Sequence, residues 1–472
     1  MSAHKASEQL GTESVGRLLY RFAMPSVIGM VVNALYNIVD RVYLSHAVGV
    51  NALAGMTLTF PVMTALVSFG VLIGVGSGAL ISISLGRGAR GDAEKCLGQA
   101  VALFLLMYAL LVPPAFYFMD GLLRALGGNA ETIPFAKQYL QIILACNLVQ
   151  HLSFGLNNSI RAEGFPGRAL ATLLIGAVLN AILDPFFIFD RFLNVGGFAG
   201  FRGLNLGIRG AAWATVLSQC VSTAWVLAHF LSPRSACRLR WANLRIHPQL
   251  ALRMAGIGLS GFSIQFIASI VGAVFNRSFR AYTATDAECA LLMATMNTIQ
   301  MITMLLFMPI FGLTQGMQPI VGYNYGAESY RRVRRAYHIT LRAAVCVGVF
   351  GALVCWLGAD GLAWIFAPKP ELAELRAKIP HYLRVMTIAL PVVGFSITTS
   401  NYFQSIGKIK MALLMSWMRQ VIILLPTLLI LPRLIGVEGI WYSAPASDFC
   451  SCGVALLFFL RERRHLRELL RA

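Results

Sequence analysis

The sequence predicts an all-α polytopic membrane protein with twelve transmembrane helices in two pseudo-symmetric six-helix lobes. Three observations predict it. Of the 472 residues 57% are apolar and only 12% are charged, where a soluble domain carries about 25% charge. Apolar stretches long enough to cross a bilayer recur along the whole chain. Several glycine-bearing motifs of the first half reappear, in order, in the second.

The apolar stretches fall at 17–46, 53–84, 94–119, 132–160, 168–189, 207–231, 252–280, 288–320, 333–366, 380–405, 411–433 and 437–460. Many exceed the roughly 20 residues that a hydrocarbon core demands, which predicts tilted helices or helices that extend into water. The expected organisation is an N-terminal segment (1–16), a first lobe (17–232), a basic linker (233–251), a second lobe (252–460) and a basic tail (461–472). The N-terminal segment is polar and the first apolar stretch is too long for a signal peptide, so no cleavage is expected.

Lys and Arg set the orientation. With the N-terminus in the cytoplasm, 25 of the 39 basic residues lie on inner segments, 10 on outer segments and four within spans. That bias predicts both termini cytoplasmic in a plasma membrane. It also accounts for the net charge of +19, since basic loops are drawn to an anionic leaflet. No basic domain stands apart from the spans, so a nucleic-acid partner is not expected. The nine cysteines lie mostly inside apolar stretches, as at Cys146, Cys220, Cys346 and Cys355. They read as small packing residues.

The repeat aligns Gly74-Val-Gly-Ser-Gly78 with Gly312-Leu-Thr-Gln-Gly316, and Val39-Asp40-Arg41 with Phe275-Asn276-Arg277. Gly164 meets Gly407, and Gly207-Ile-Arg-Gly-Ala-Ala-Trp213 meets Gly436-Val-Glu-Gly-Ile-Trp-Tyr442. An even number of spans per half gives both halves the same orientation, with a cavity between them, an architecture of solute transporters.

Acids inside spans are costly and therefore informative. Asp40 lies in span 1, where Asn33, Tyr36, Asn37 and Asp40 follow the spacing of one helix face. Asp184 lies in span 5, one turn after Asn180 and just before Pro185, whose missing N–H frees a carbonyl. Two carboxylates at one depth in a dry pocket cannot both ionise easily. One takes a proton, or a cation such as Na⁺ sits between Asp40, Asn180 and Asp184. The second half carries Asn276 in place of Asp40, so ion coupling is expected in the first lobe.

Other residues read less sharply. Glu163 beside Arg161 suits a gate or a loop ion pair. Asp448 is an acid inside span 12 with no partner evident in the sequence. Gln150 and Asn157, with His151 and Asn158, make span 4 polar, for cavity lining or for interhelical bonds. Met293 and Met296, with Met301, Met304 and Met308, give span 8 flexible side chains suited to varied ligands or to packing. No Walker loop, HExxH or nucleophile elbow is present. Enzyme chemistry is therefore not expected, nor is a membrane-embedded transferase.

Across nearly its whole length the chain resembles the multidrug and toxic compound extrusion family. The residues carrying the resemblance are Asn37-Ile-Val-Asp-Arg41, Leu85-Gly-Arg-Gly-Ala-Arg-Gly-Asp-Ala93, Arg161-Ala-Glu-Gly-Phe-Pro-Gly-Arg168, Asn180-Ala-Ile-Leu-Asp-Pro185 and Gly207-Ile-Arg-Gly-Ala-Ala-Trp-Ala-Thr215. The resemblance implies export of organic cations and amphipathic compounds by alternating access, driven by inward H⁺ or Na⁺, with no cofactor. A bacterial inner membrane is expected, and nothing in the sequence demands more than a monomer. Tyr36, Asp40, Asn180 and Asp184 match the cation site of the bacterial branch with first-lobe acids. The alternative is a lipid-linked precursor flippase of the same superfamily. Its cavity should carry several Arg or Lys, and only Arg41, Lys137, Arg384 and Arg419 lie within spans.

Overall fold

The structure, a computed structural model, describes residues 3–47, 50–192, 201–368 and 370–469. The side chains of Asn37, Asp40 and Arg41 lie outside that description. Its regular structure is helical, apart from a two-residue antiparallel pairing of Arg191–Phe192 with Phe201–Arg202.

Among the described residues ten helices are long and apolar enough to cross a membrane, and two bent pairs bring the number to 12. Each of the twelve predicted stretches thus has its helix or pair. Span 1 is Val15–Ala47, span 2 Val50–Gly86, span 3 Arg90–Tyr117, span 5 Pro166–Ile188 and span 6 Gly207–Leu231. Spans 7, 8 and 9 are Pro248–Tyr282, Asp286–Gly326 and Tyr330–Leu357. Span 12 runs Glu438–Leu469.

The bent pairs occupy the same place in each half. Span 4 is Ile133–Ala145 with Asn147–Ala162, bent by 58°, and span 10 is Ala373–Thr387 with Leu390–Ser405, bent by 46°. In span 10 the cause is Pro391, near the start of the second piece, which cannot donate to the carbonyl one turn back. Span 11 is interrupted differently. Ile409–Trp417 passes into a π-helical segment, Met418–Leu424, before Leu425–Ile435.

The repeat reaches the backbone angles. Gly164 and Gly407, aligned by sequence, turn spans 4 and 10 into the next helix with φ of 99° and 72°. Gly207 and Gly436, also aligned, have φ of 54° and 67°. A side chain is strained in that region, so glycine is required at these turns.

Two compact units divide the chain within spans 1 and 7. Met1–Thr12 and Val31–Gly258 form the first unit, and Glu13–Met30 and Leu259–Ala472 the second. Glycines make the close approaches inside each unit. In the first, a Cβ on Gly76 would strike Met254 and one on Gly258 would strike the Leu72 carbonyl. In the second, Gly312 and Gly316 admit the backbone of Val27 and Ala23. The core of the second unit is anchored by fully buried Trp441, stacked on Tyr382 at 3.9 Å. In the first, Tyr139, Ile143, Ile188, Ile208, Ala211, Ala212 and Val216 join spans 4, 5 and 6.

Candidate ion-coupling site

Span 5 joins that core at Ile188, one turn beyond its acid, Asp184. Asp184 is 0% exposed and Asn180 1% exposed. One helical turn apart, they share a face, and the Asn180 Nδ2 donates to Asp184 Oδ1 at 3.2 Å. The same Nδ2 donates to Thr215 Oγ1 of span 6 at 3.3 Å. Asn180 Oδ1 is buried and finds no hydrogen-bond partner among the described residues. The helix continues through Pro185 to Ile188. The result is a fully buried carboxyl bonded to an amide, beside an amide oxygen with capacity to spare. Such a group gains from a proton or a small cation.

Span 1 supplies the other half of the predicted site. Asn33 and Tyr36 are half-buried in the same compact unit. Tyr43, two turns beyond Tyr36 and so on its face, meets Phe189 edge-on at 6.4 Å, just past the end of span 5. The side chains of Asn37 and Asp40, both predicted here, lie outside the described residues. Thr215 was not singled out as a site residue by sequence reasoning. It sits in the quoted span 6 motif, but a threonine in an apolar helix carries no signal of its own.

The weaker candidates separate. Asn157 is 2% exposed and its Nδ2 donates to the Ala169 carbonyl at 2.7 Å, so it ties span 4 to span 5. His151 does similar work against the Leu66 carbonyl at 2.9 Å. Gln150 is half-buried. Met296 belongs to the core of the second unit, with Met293 packed against that core, the packing reading of span 8.

Glu163 does not pair with Arg161, which bonds Asn158 instead. Its carboxylate, 0% exposed, accepts from Ser235 Oγ, from the backbone N–H of Ala236 at 3.1 Å and Cys237 at 2.9 Å, and lies 3.1 Å from His229 Nε2. It therefore clasps the linker to the end of span 4. Glu94 and Gln99 hold the same linker further on, through Arg240 Nε at 3.1 Å and the His247 N–H at 2.9 Å. Burial, and then the adjacent Glu163 carboxylate, push the Cys237 thiol well above its ordinary range.

Asp448 does have a partner. Arg419 Nε of span 11 donates to its Oδ1 at 2.7 Å. They stand 29 positions apart, across a turn, which is why no helical spacing revealed the pair.

Twelve spans, a doubled six-helix plan and a buried acid define a polytopic membrane protein of transporter architecture. The profile of the MatE family matches residues 25–186 and 290–429, more than half of the chain, and the chain belongs to that family. It is 22% identical to the multidrug export protein MepA of Staphylococcus saprophyticus, over 96% of this chain and 95% of that one. The Staphylococcus aureus MepA is 24% identical, over 95% of both chains. Among solved structures, MATE in complex with MaL6 superposes with a TM-score of 0.87 at 23% identity, covering 98% of this chain and 99% of that one. The MATE multidrug transporter DinF-BH is 32% identical, with a TM-score of 0.85 and coverage of 96% and 97%.

Proposed function

We propose that this protein is a secondary active multidrug exporter that exchanges organic cations and amphipathic compounds for H⁺ or Na⁺. The observation that carries the reading is Asp184, a fully buried intramembrane acid bonded to the Asn180 amide in a chain of the MatE family. The multidrug names of its relatives supply the substrate class. In this scheme Asp184, with Asn180 and Thr215, receives the coupling ion, and Asp40 and Tyr36 of span 1 complete the site. Taking up the ion neutralises the carboxyl, and losing it restores a charge the pocket cannot leave unpaired. The two states then favour different helix arrangements, and the gradient supplies the difference in free energy. The protein sits in the bacterial inner membrane with both termini cytoplasmic and works as a monomer.

The test is efflux of a fluorescent organic cation from everted vesicles under an imposed pH gradient and, separately, an Na⁺ gradient. Wild type should move the dye under one of them, and Asp40→Asn and Asp184→Asn should each abolish the gradient response with insertion intact. Normal coupling in both variants would refute the site. No transport under either gradient would refute the exporter reading and direct attention to lipid translocation.

A further inference from the structure

The second unit holds a charge pair that the ion-coupling scheme does not use. Arg419 is the second residue of the π-helical segment in span 11. A π turn gives up regular helix geometry and persists mostly where function or packing requires it. Here it sets the Arg419 Nε at 2.7 Å from Asp448 Oδ1 on span 12. Ser447 Oγ donates to the Arg419 carbonyl, securing the backbone of the same turn. The guanidinium carbon lies 5.9 Å from the centre of the Phe307 ring of span 8. Met304 and Met308 flank that ring in the sequence.

Geometry argues against a purely structural role. An ion pair built for stability in a dry interior is typically bidentate, with its remaining groups satisfied. This pair is made through Nε alone, and among the described residues neither Nη group finds an acceptor. The side chains are 27% and 12% exposed. Next to them, Gln420 Oε1 is buried without a hydrogen-bond partner among the described residues. Idle guanidinium donors facing hydrocarbon would cost several kcal/mol. The open side of the pair is therefore polar, or receives a polar ligand.

We propose that Arg419 and Asp448 form a receptor for zwitterionic amphiphiles, the ligand's carboxylate docking on the free Nη edge of Arg419 and its cation on Asp448. Charge balance selects that class. A monocation that takes Asp448 strands the guanidinium, and a monoanion that takes Arg419 strands the carboxylate. A zwitterion exchanges one internal pair for two intermolecular ones and leaves no charge uncompensated. The planar fork of Arg419 suits a carboxylate, and Phe307 offers an apolar face to the body of the ligand. This inference names one substrate class of the exporter and so rests on that reading. Its test separates binding from transport.

The probes are the ethyl ester of a rhodamine dye, a monocation, and the free acid obtained by hydrolysing that ester, a zwitterion with the same ring system. Binding of each to the purified full-length protein is followed by fluorescence anisotropy, and export by everted vesicles. Wild type should bind the free acid more tightly than the ester, by on the order of tenfold. Arg419→Gln/Asp448→Asn removes both charges while keeping groups that can hydrogen-bond, so it avoids an orphaned charge. It should bring the ratio to about one. Arg419→Lys should retain part of the preference. Equal binding of the two dyes by wild type, or a preference that survives in the double variant, would overturn the proposal. If wild type binds with the expected preference but exports neither dye, the receptor stands and the exporter reading fails.

Discussion

Asp184 and Asp448 are both aspartates inside apolar helices, and their surroundings differ in one respect. Asp184, in the first unit, has an amide one turn away, and that amide reaches a threonine hydroxyl. Asp448, in the second, has a guanidinium at 2.7 Å. A buried acid bonded to an amide is a place for a cation. An acid beside Arg is already neutralised, and what it offers is an exchangeable pair. The same side chain at a similar cost thus serves two different purposes, and the partner decides which.

The largest effect expected from breaking the comparison is at Asp184. Asp184→Asn should reduce gradient-driven efflux to the uncoupled level, while Arg419→Gln/Asp448→Asn should leave the gradient response intact. Vesicle efflux under matched gradients checks both. Loss of coupling in the double variant would erase the distinction.

Stability should show the opposite ranking. Arg419→Leu leaves the Asp448 carboxylate uncompensated, at about 3–5 kcal/mol, whereas the double variant should unfold near wild type. Thermal unfolding in detergent, followed by loss of the monodisperse peak, gives the order. Asp184→Asn, which removes a fully buried carboxyl, should match or exceed wild type in that assay.

The next effect concerns the linker. Glu163→Gln weakens charge-assisted bonds to Ser235, Ala236 and Cys237, at roughly 1.5–3 kcal/mol. Maleimide labelling of Cys237 reads it out. Burial and the Glu163 charge hold the thiol's pKa up, and the thiolate is the reactive form. Wild type should therefore label slowly and only at strongly alkaline pH, and the variant should label at lower pH. An unchanged pH profile would show that Glu163 does not set the environment of this thiol.

The smallest effect sharpens the first site. Thr215→Val removes one acceptor from the Asn180 amide, worth about 1 kcal/mol. The pH or Na⁺ dependence of efflux should shift by less than about tenfold with the maximal rate retained. A complete loss of coupling would move Thr215 from support to direct ion contact.

Much of this was legible in the residues. Low charge and long apolar runs fixed the spans, because lipid admits only helices or closed barrels. Aligned glycines announced the turns at Gly164 and Gly407, since positive φ leaves little choice of residue. Asn180 and Asp184 were legible as a pair because helical periodicity places residues four apart on one face. Arg419 and Asp448 were each visible as a charge in a span, yet their pairing was not, because contacts between helices leave no periodic mark. The partners of Glu163 were not legible for a similar reason. Its neighbour in sequence, Arg161, turns to Asn158, and its partners lie more than sixty residues away in the linker and at the end of span 6.

What the sequence by itself determined is the class of protein: membrane-spanning, twelve helices, doubled, with a few acids placed where charge is expensive. Each of these follows from local composition or fixed spacing, which the chain carries whether or not it is folded. The tertiary structure decided the partners. It chose an amide and a threonine for Asp184, a guanidinium for Asp448 and a linker for Glu163, because a buried polar group takes its chemistry from what packing brings within about 3 Å.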